Sequence, residues 1–336
     1  MSSMYKKTAN FGTSHPDIGE VFYAVDTNYR TAAQGWSRAD RTGPLDLWAE
    51  KMPGRVFYGA GGGLLAPSSN YATDAAALQA AIDAMVDFRG DTLFMTPGNY
   101  SLATALNLNV SGMRWKGKMF PNPRRAAVTI TDSIGDHSFA AAGDDMEIAF
   151  MRFVPLTAQN VFTNVSGADG GFFHHIIWDA KGVATSTSTE FFRSVATSAD
   201  WLIEDSVFEV DAVQGDAFTL VDARRWTWDR CQFSVVGPTI TWESVFTFVT
   251  TASLGCVVKN CDFGSGGGAN GLITNIFTGM AGGSIVLVRN CYINGTSMPT
   301  AGNIETGFDG TVGIELAENY LTGDATTEGG VLIKLT

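Results

Sequence analysis

Trp226-Thr-Trp-Asp-Arg-Cys-Gln-Phe233, Cys256-Val-Val-Lys-Asn-Cys-Asp-Phe263 and Val286-Leu-Val-Arg-Asn-Cys-Tyr-Ile293 are one phrase written three times. Their shared cysteines, Cys231, Cys261 and Cys291, stand 30 residues apart. A fixed period of this size marks a stacked solenoid. With the cysteine as position zero, apolar residues fall at −5, −3 and +2. A spacing of two is the strand period, so −5 and −3 share a face, and zero and +2 share a face. The step of three between −3 and zero breaks the alternation, so the chain must turn a corner there to keep its apolar groups inside. The corner places, −2 and −1, hold Asp229-Arg230, Lys259-Asn260 and Arg289-Asn290. Asparagine suits a corner because it tolerates the left-handed backbone region.

The phrase recurs without cysteine. Met146, Ile148, Met151 and Phe153 fit it, with Phe150 in a corner place. Phe173, Ile176 and Trp178 fit with His174-His175 at the corner, and Trp201, Ile203, Ser206 and Phe208 with Glu204-Asp205. Ile314, Leu316, Asn319 and Leu321 close the series. Leu108, Val110, Met113 and Trp115, then Val128, Ile130 and Ser133, read as two earlier coils. A second column, Phe162, Phe192, Phe218, Phe246 and Phe277, precedes successive zero positions by 13 to 15 residues. No apolar run in this region keeps a helical period. Several short strands per repeat, over seven to nine coils, predict an all-β parallel β-helix with coils about 4.8 Å apart.

Composition agrees. The chain has 336 residues, 45% of them hydrophobic, which is enough for a long core. Its 38 glycines suit a fold of short strands and corners. Four cysteines, all on core places, read as buried free thiols rather than a disulfide scaffold. Residues 1–60 hold seven Lys/Arg and six Asp/Glu, which leaves 15 basic and 28 acidic residues in 61–336. An acidic solenoid repels nucleic acid. No stretch is long and apolar enough to span a membrane, and no apolar segment follows the N-terminal lysines to make a signal peptide. The sequons at Asn164 and Asn294 therefore carry little weight.

Residues 1–60 lack the repeat and read as an irregular arm, tied down by a partner and joined through Gly59–Gly63 to the solenoid at 61–336. Thr73 or Asp74 can cap a helix over about 73–87, whose apolar stripe is Leu78, Ile82 and Met85. Such a helix would cover the open first coil. Thr73-Asp74, Ala77, Gln79, Ala81-Ile82 and then Pro97-Gly98-Asn99-Tyr100 resemble the opening segment of the pectin-lyase-like superfamily. That resemblance implies a right-handed parallel β-helix and spans roughly residues 60–336. The superfamily includes polysaccharide lyases, polygalacturonases and many bacteriophage tailspikes and virion proteins, so it constrains fold more than activity.

The superfamily's catalytic motifs are poorly represented. The polygalacturonase branch carries an Asn-x-Asp, an Asp-Asp, a Gly-His-Gly and an Arg-x-Lys, of which only the Asp-Asp is expected here. Asp144-Asp145 matches its acidic pair but reads as a solvated turn. The pectate-lyase motifs Trp-x-Asp-His and Arg-x-Pro-x-x-Arg are absent. Glycosidase chemistry needs two carboxylates about 5–10 Å apart. Glu204, Asp205 and Asp229 on adjacent corners are the candidates, against the plainer reading of charged corner residues. His174-His175 reads as solvated corner rather than metal ligand, and Trp226 and Trp228 as core rather than sugar platform. No cofactor or metal is expected.

The resemblance and the missing motifs imply a non-enzymatic structural protein of a tailed-phage virion. It would be homotrimeric and attached to other virion proteins through residues 1–60. With the chain ending at Leu335-Thr336 soon after the last coil, capsid decoration or a spike is expected. The alternative is a tailspike or tail-fibre adhesin that degrades a host surface polysaccharide.

Overall fold

A computed structural model describes residues 46–47, 56–59, 73–83, 85–95, 97–117, 126–132, 137–156, 160–164, 167–180, 190–210, 214–236, 241–249, 254–265, 272–279, 285–294, 303–306, 313–317 and 319–322. Among them the chain is a right-handed parallel β-helix with one α-helix, Asp74–Asp83. Each coil gives a large sheet two short strands that meet at the corner, and a smaller sheet one strand. The large sheet's later strands form nine rungs, which start at Gly98, Val128, Met151, Ile176, Val207, Gln232, Asp262, Tyr292 and Tyr320. The strand Val56–Gly59 pairs in parallel with Thr92–Met95, so the large sheet reaches ahead of residue 61. Asp46–Leu47 pairs antiparallel with Val56–Gly59, and the rest of the arm lies outside the described residues.

The corner is as the phrase predicts. Phe150, His175, Asp205, Arg230, Asn260 and Asn290 all occupy the −1 place and all have φ between 48° and 62°. Left-handed backbone costs a non-glycine residue roughly 1–2 kcal/mol, so the stack must hold each of them there. A second left-handed corner precedes the −5 place at Asp145, Gly170, Asp200, Arg225 and Gly255. The −5 place itself is glycine in one coil, Gly171, because the Trp201 ring lies 2.2 Å from where a Cβ would stand.

The corner also explains the cysteines. Its turn leaves the amide of position zero without a ladder partner, and a buried orphan amide is costly. The zero side chain of the next coil supplies the acceptor. Ser206 Oγ accepts from the Ile176 amide at 3.1 Å, Cys291 Sγ from the Cys261 amide at 3.4 Å, and Asn319 Oδ1 from the Cys291 amide at 2.8 Å. The cysteines are therefore small core groups with a polar task, not merely small apolar ones. All four thiols are buried and free. Burial pushes Cys256 up to about 11 and, with the neighbouring thiols, raises Cys261 and Cys291.

The second column holds without a break: Phe162, Phe192, Phe218, Phe246 and Phe277 stand beside one another, and Phe139 extends the column backward. Rings in register stack along the axis, as Phe208–Phe233 and Phe233–Phe263 do at 5.0 and 4.9 Å. Trp226 and Trp228 are fully buried.

Two earlier phases require correction. Trp115 pairs with Ile148 and so holds the −3 place, not +2. Ile130 pairs with Phe153 and holds +2, not −3. Leu108 pairs with Ala141 in the smaller sheet. The two supposed coils are thus two halves of one, with Trp115 at its −3 place and Ile130 at its +2 place.

The helix Asp74–Asp83 is shorter than the expected 73–87. Thr73 Oγ1 caps it by accepting from the Ala76 amide at 3.1 Å. Its polar side chains then act as a substitute strand. Asp74 Oδ2 accepts from the Ser101 amide at 2.9 Å. Gln79 accepts from the Asn107 amide at 2.8 Å and donates to its carbonyl at 3.2 Å. Both edges of the first coil are thereby closed.

Candidate functional site

Two polar regions decorate the solenoid. The first is the corner that holds Glu204, Asp205 and Asp229. Their coils are adjacent, and all three converge on Arg230. Its guanidinium donates to Asp205 at 2.7 and 2.9 Å, to Asp229 at 2.8 Å and to Glu204 at 3.1 Å. Asp229 also accepts from Asn260 at 2.8 Å and lies 3.3 Å from Lys259 Nζ. The Arg230 guanidinium holds the Asp205 carboxyl below its ordinary range. Such a group stays ionised and has no proton to give near neutral pH. The structure brings the three sequence candidates together, but as ligands of one arginine.

At the same corner, two coils earlier, Glu147 accepts from His174 Nε2 at 3.0 Å and from Lys116 at 2.6 Å. His174 Nδ1 lies 3.0 Å from His175 Nδ1. The hydrogen bond from His174, then Lys116, pulls Glu147 down to about 2. His174 is only 8% exposed, which corrects its reading as a solvated residue: Phe172 stacks on it at 4.4 Å. His175 is half-buried, and burial lowers its pKa. Among the described residues no group of three or more His, Cys, Asp or Glu is placed to hold a metal.

The second region was missed from sequence. On the smaller sheet, Ala217 and Phe218 both point inward, so the strand bends, and Asp216 and Thr219 converge on its outer side. The same bend recurs in Glu190–Ser194 and Thr241–Val249. In register, it lines up Asp216, Ser244 and Asn275 along one side, with Glu190 at the equivalent place two before its column phenylalanine, and Arg193, Thr219, Thr247 and Thr278 along the other. Thr219 donates to Asp216 at 3.3 Å, Thr247 and Thr278 hydroxyls meet at 2.7 Å, and Ser244 donates to Thr278 at 3.1 Å.

This stripe does to carboxyls what the corner does not. Burial raises Glu190 to about 7, against the pull of Arg193 and with a push from Asp216. Burial also raises Asp216 to about 6, against hydrogen bonds from Thr247 and Thr219. Glu190 is 7% exposed and its Oε2 has no partner among the described residues; Asp216 is half-buried. Asp216 pushes on Glu190, and Glu243 pushes on Asp216, so two carboxyls on adjacent coils are both raised toward neutrality, as an acid–base pair requires. The sequence signal was available: in every coil the residue two before the column phenylalanine is polar, as Asn160, Glu190, Asp216, Ser244 and Asn275.

Other marked residues fall away. Asp144 and Asp145 are exposed at a turn, as expected. Asn164 is fully buried, and its Oδ1 accepts from the Gly167 and Ala168 amides, so it is no glycan acceptor. The polygalacturonase Arg-x-Lys and Asn-x-Asp, expected to be absent, both have a match, in Arg114-Trp-Lys116 and Asn260-Cys-Asp262. They lie on coils far apart, Arg114 and Lys116 against Glu147 and Asn260 against Asp229.

No family model and no curated protein matches this chain. Among solved structures it is similar to the deglycosylated pectin methylesterase from Aspergillus niger, with 12% identity, 86% of this chain and 93% of that chain covered, and a TM-score of 0.53. It is more distantly similar to the A-module of the mannuronan C-5 epimerase from Azotobacter vinelandii (12% identity, 77% and 96% covered, TM-score 0.37). A third is the tailspike protein gp49 from Acinetobacter baumannii bacteriophage Fri1, a capsular polysaccharide depolymerase (9% identity, 83% and 64% covered, TM-score 0.36). At these identities the likeness concerns the fold alone.

Proposed function

We propose that this chain cleaves a polysaccharide laid along the stripe of the smaller sheet, which favours the depolymerase alternative over the non-enzymatic structural role. The observation that carries the reading is the pair Glu190 and Asp216, neighbours on adjacent coils with carboxyls at about 7 and about 6. At neutral pH Glu190 retains a proton for much of the time, while Asp216 is largely ionised. Double displacement needs carboxyls about 5–5.5 Å apart, a separation within reach of side chains on adjacent coils. Asp216 attacks the anomeric carbon as Glu190 protonates the departing glycosidic oxygen. Glu190, now a carboxylate, takes a proton from water, and that water displaces Asp216 from the sugar. Each carboxyl ends as it began.

Attachment to a phage particle through residues 1–60, and a homotrimeric assembly, belong to the same reading through the superfamily resemblance. Light scattering on the full chain gives three copies if the assembly is right. For the activity, the pure full chain is incubated with capsular and neutral bacterial polysaccharides. Release of reducing ends from at least one polymer supports the proposal. No release and no fall in viscosity across the panel returns the chain to a structural role.

A further inference from the structure

Five of the six −1 corner places hold residues with a polar side chain, His175, Asp205, Arg230, Asn260 and Asn290. The exception is Phe150, with φ 62°. A bulky apolar side chain is rare in that backbone region, and the corners nearby show that asparagine fills it without difficulty. Strain of this kind gathers where a side chain has a task.

The ring is half-buried and does not stand alone. Phe150 lies 4.9 Å from the His175 ring, tilted by 35°, and 5.0 Å edge-on from His174. Phe172 covers the other face of His174. Phe150, Phe172 and His175 are half-buried over the buried His174 ring, an aromatic platform at the surface, whereas most other large rings among the described residues lie in the core. The platform has a polar edge. The Glu147 carboxylate can only accept, so His174 Nε2 carries hydrogen. His174 Nδ1 and His175 Nδ1 share one hydrogen bond. That leaves His175 Nε2 to meet a ligand, with Asp205 and Arg230 nearby.

We infer that Phe150 and His175 form a saccharide-binding subsite, in which a pyranose lays its C–H face on the rings and hydrogen-bonds through a hydroxyl to His175 Nε2. The negative face of an aromatic ring attracts polarised C–H groups, and an adjacent hydrogen-bonding group fixes the sugar's orientation. This subsite lies on the large sheet's corner and does not depend on Glu190 or Asp216. It replaces Trp226 and Trp228, which the core withholds, as the place where sugars stack.

The test is affinity electrophoresis of the full chain in gels cast with dextran, mannan, galactan or polygalacturonate. At least one polymer retards the wild type. Phe150→Asn, and separately His175→Asn, weaken that retardation by about tenfold or more, the scale of one lost stacking or hydrogen-bonding contact. Phe150→Asn melts at the same temperature as wild type or higher, because asparagine accepts the corner backbone. Glu190→Gln keeps the retardation even as cleavage is lost, which separates this subsite from the proposed catalysis. The inference is overturned if no gel retards the wild type, if both asparagine variants bind as wild type does, or if Phe150→Asn melts lower.

Discussion

The corner at Arg230 and the stripe at Glu190 place carboxylates on neighbouring coils of one solenoid, yet treat them in opposite ways. At the corner, Asp205 meets a guanidinium head-on and is held ionised. On the stripe, Glu190 and Asp216 are desolvated beside hydroxyls and each other, and the proton is retained to about 7 and about 6. A corner exposes its charges to arginine and lysine from the next coil. A bend between two inward residues draws the flanking side chains together and out of water. The first arrangement uses charge to hold coils in register, and the second stores protons.

The contrast is sharpest in the pH dependence of stability. A carboxyl whose folded pKa is raised binds its proton more tightly in the folded state. Stability therefore falls as pH rises from the unfolded value of 4.5 to the folded value of about 7 for Glu190. The shift corresponds to roughly 3 kcal/mol across that window. Glu190→Gln should remove this slope and be more stable than wild type above pH 7, measured by urea unfolding at several pH values. A wild-type stability that is flat between pH 5 and 7 would erase the distinction between the two regions. Asp205 runs the other way: its support is present above pH 3.8 and lost as pH falls through its lowered pKa.

A smaller effect is expected at the corner. Arg230→Met leaves Asp229 with Lys259 and Asn260 but strips Asp205 of its partner, and should cost about 1–2 kcal/mol at pH 7. No change in chemical denaturation would mean that the cluster is not structural. Smaller again, Cys291→Val removes the acceptor for the Cys261 amide and should cost about 1 kcal/mol, whereas Cys291→Ser restores an oxygen acceptor and should recover most of it. Equal melting temperatures for the two variants would show that the thiol serves only as volume.

Much of this was readable from residues 146–321. The corner phrase is dense, and it located the inward side chains at its −5, −3, zero and +2 places from Met146 to Ile293, but not those beyond it such as Phe191, Val210 and Trp242. The coil before Met146 was misphased because more residues separate its −3 place, Trp115, from its +2 place, Ile130, than in later coils, and a fixed spacing cannot follow the chain there. His174 looked like a surface residue because the −2 place is usually polar and outward; the rings of Phe150 and Phe172 bury it. The stripe was missed for a different reason. The polar place two before each column phenylalanine is visible in the sequence, but nothing in Glu190-Phe-Phe or Asp216-Ala-Phe tells of desolvation. Only the bend, with Phe191 and Phe192 both inward, turns Glu190 from a surface acid into a proton reservoir.

If the chain cleaves a polysaccharide, the stripe and not the corner carries the chemistry. Reducing-end release from a cleaved polysaccharide, compared among wild type, Glu190→Gln, Asp216→Asn, Glu204→Gln and Asp205→Asn at pH 6.5 or about that value, tests it most directly. The two stripe variants should lose at least about 100-fold in rate, and the two corner variants should stay within about threefold of wild type. Loss of activity in Asp205→Asn or Glu204→Gln, with Glu190→Gln still active, would contradict the account.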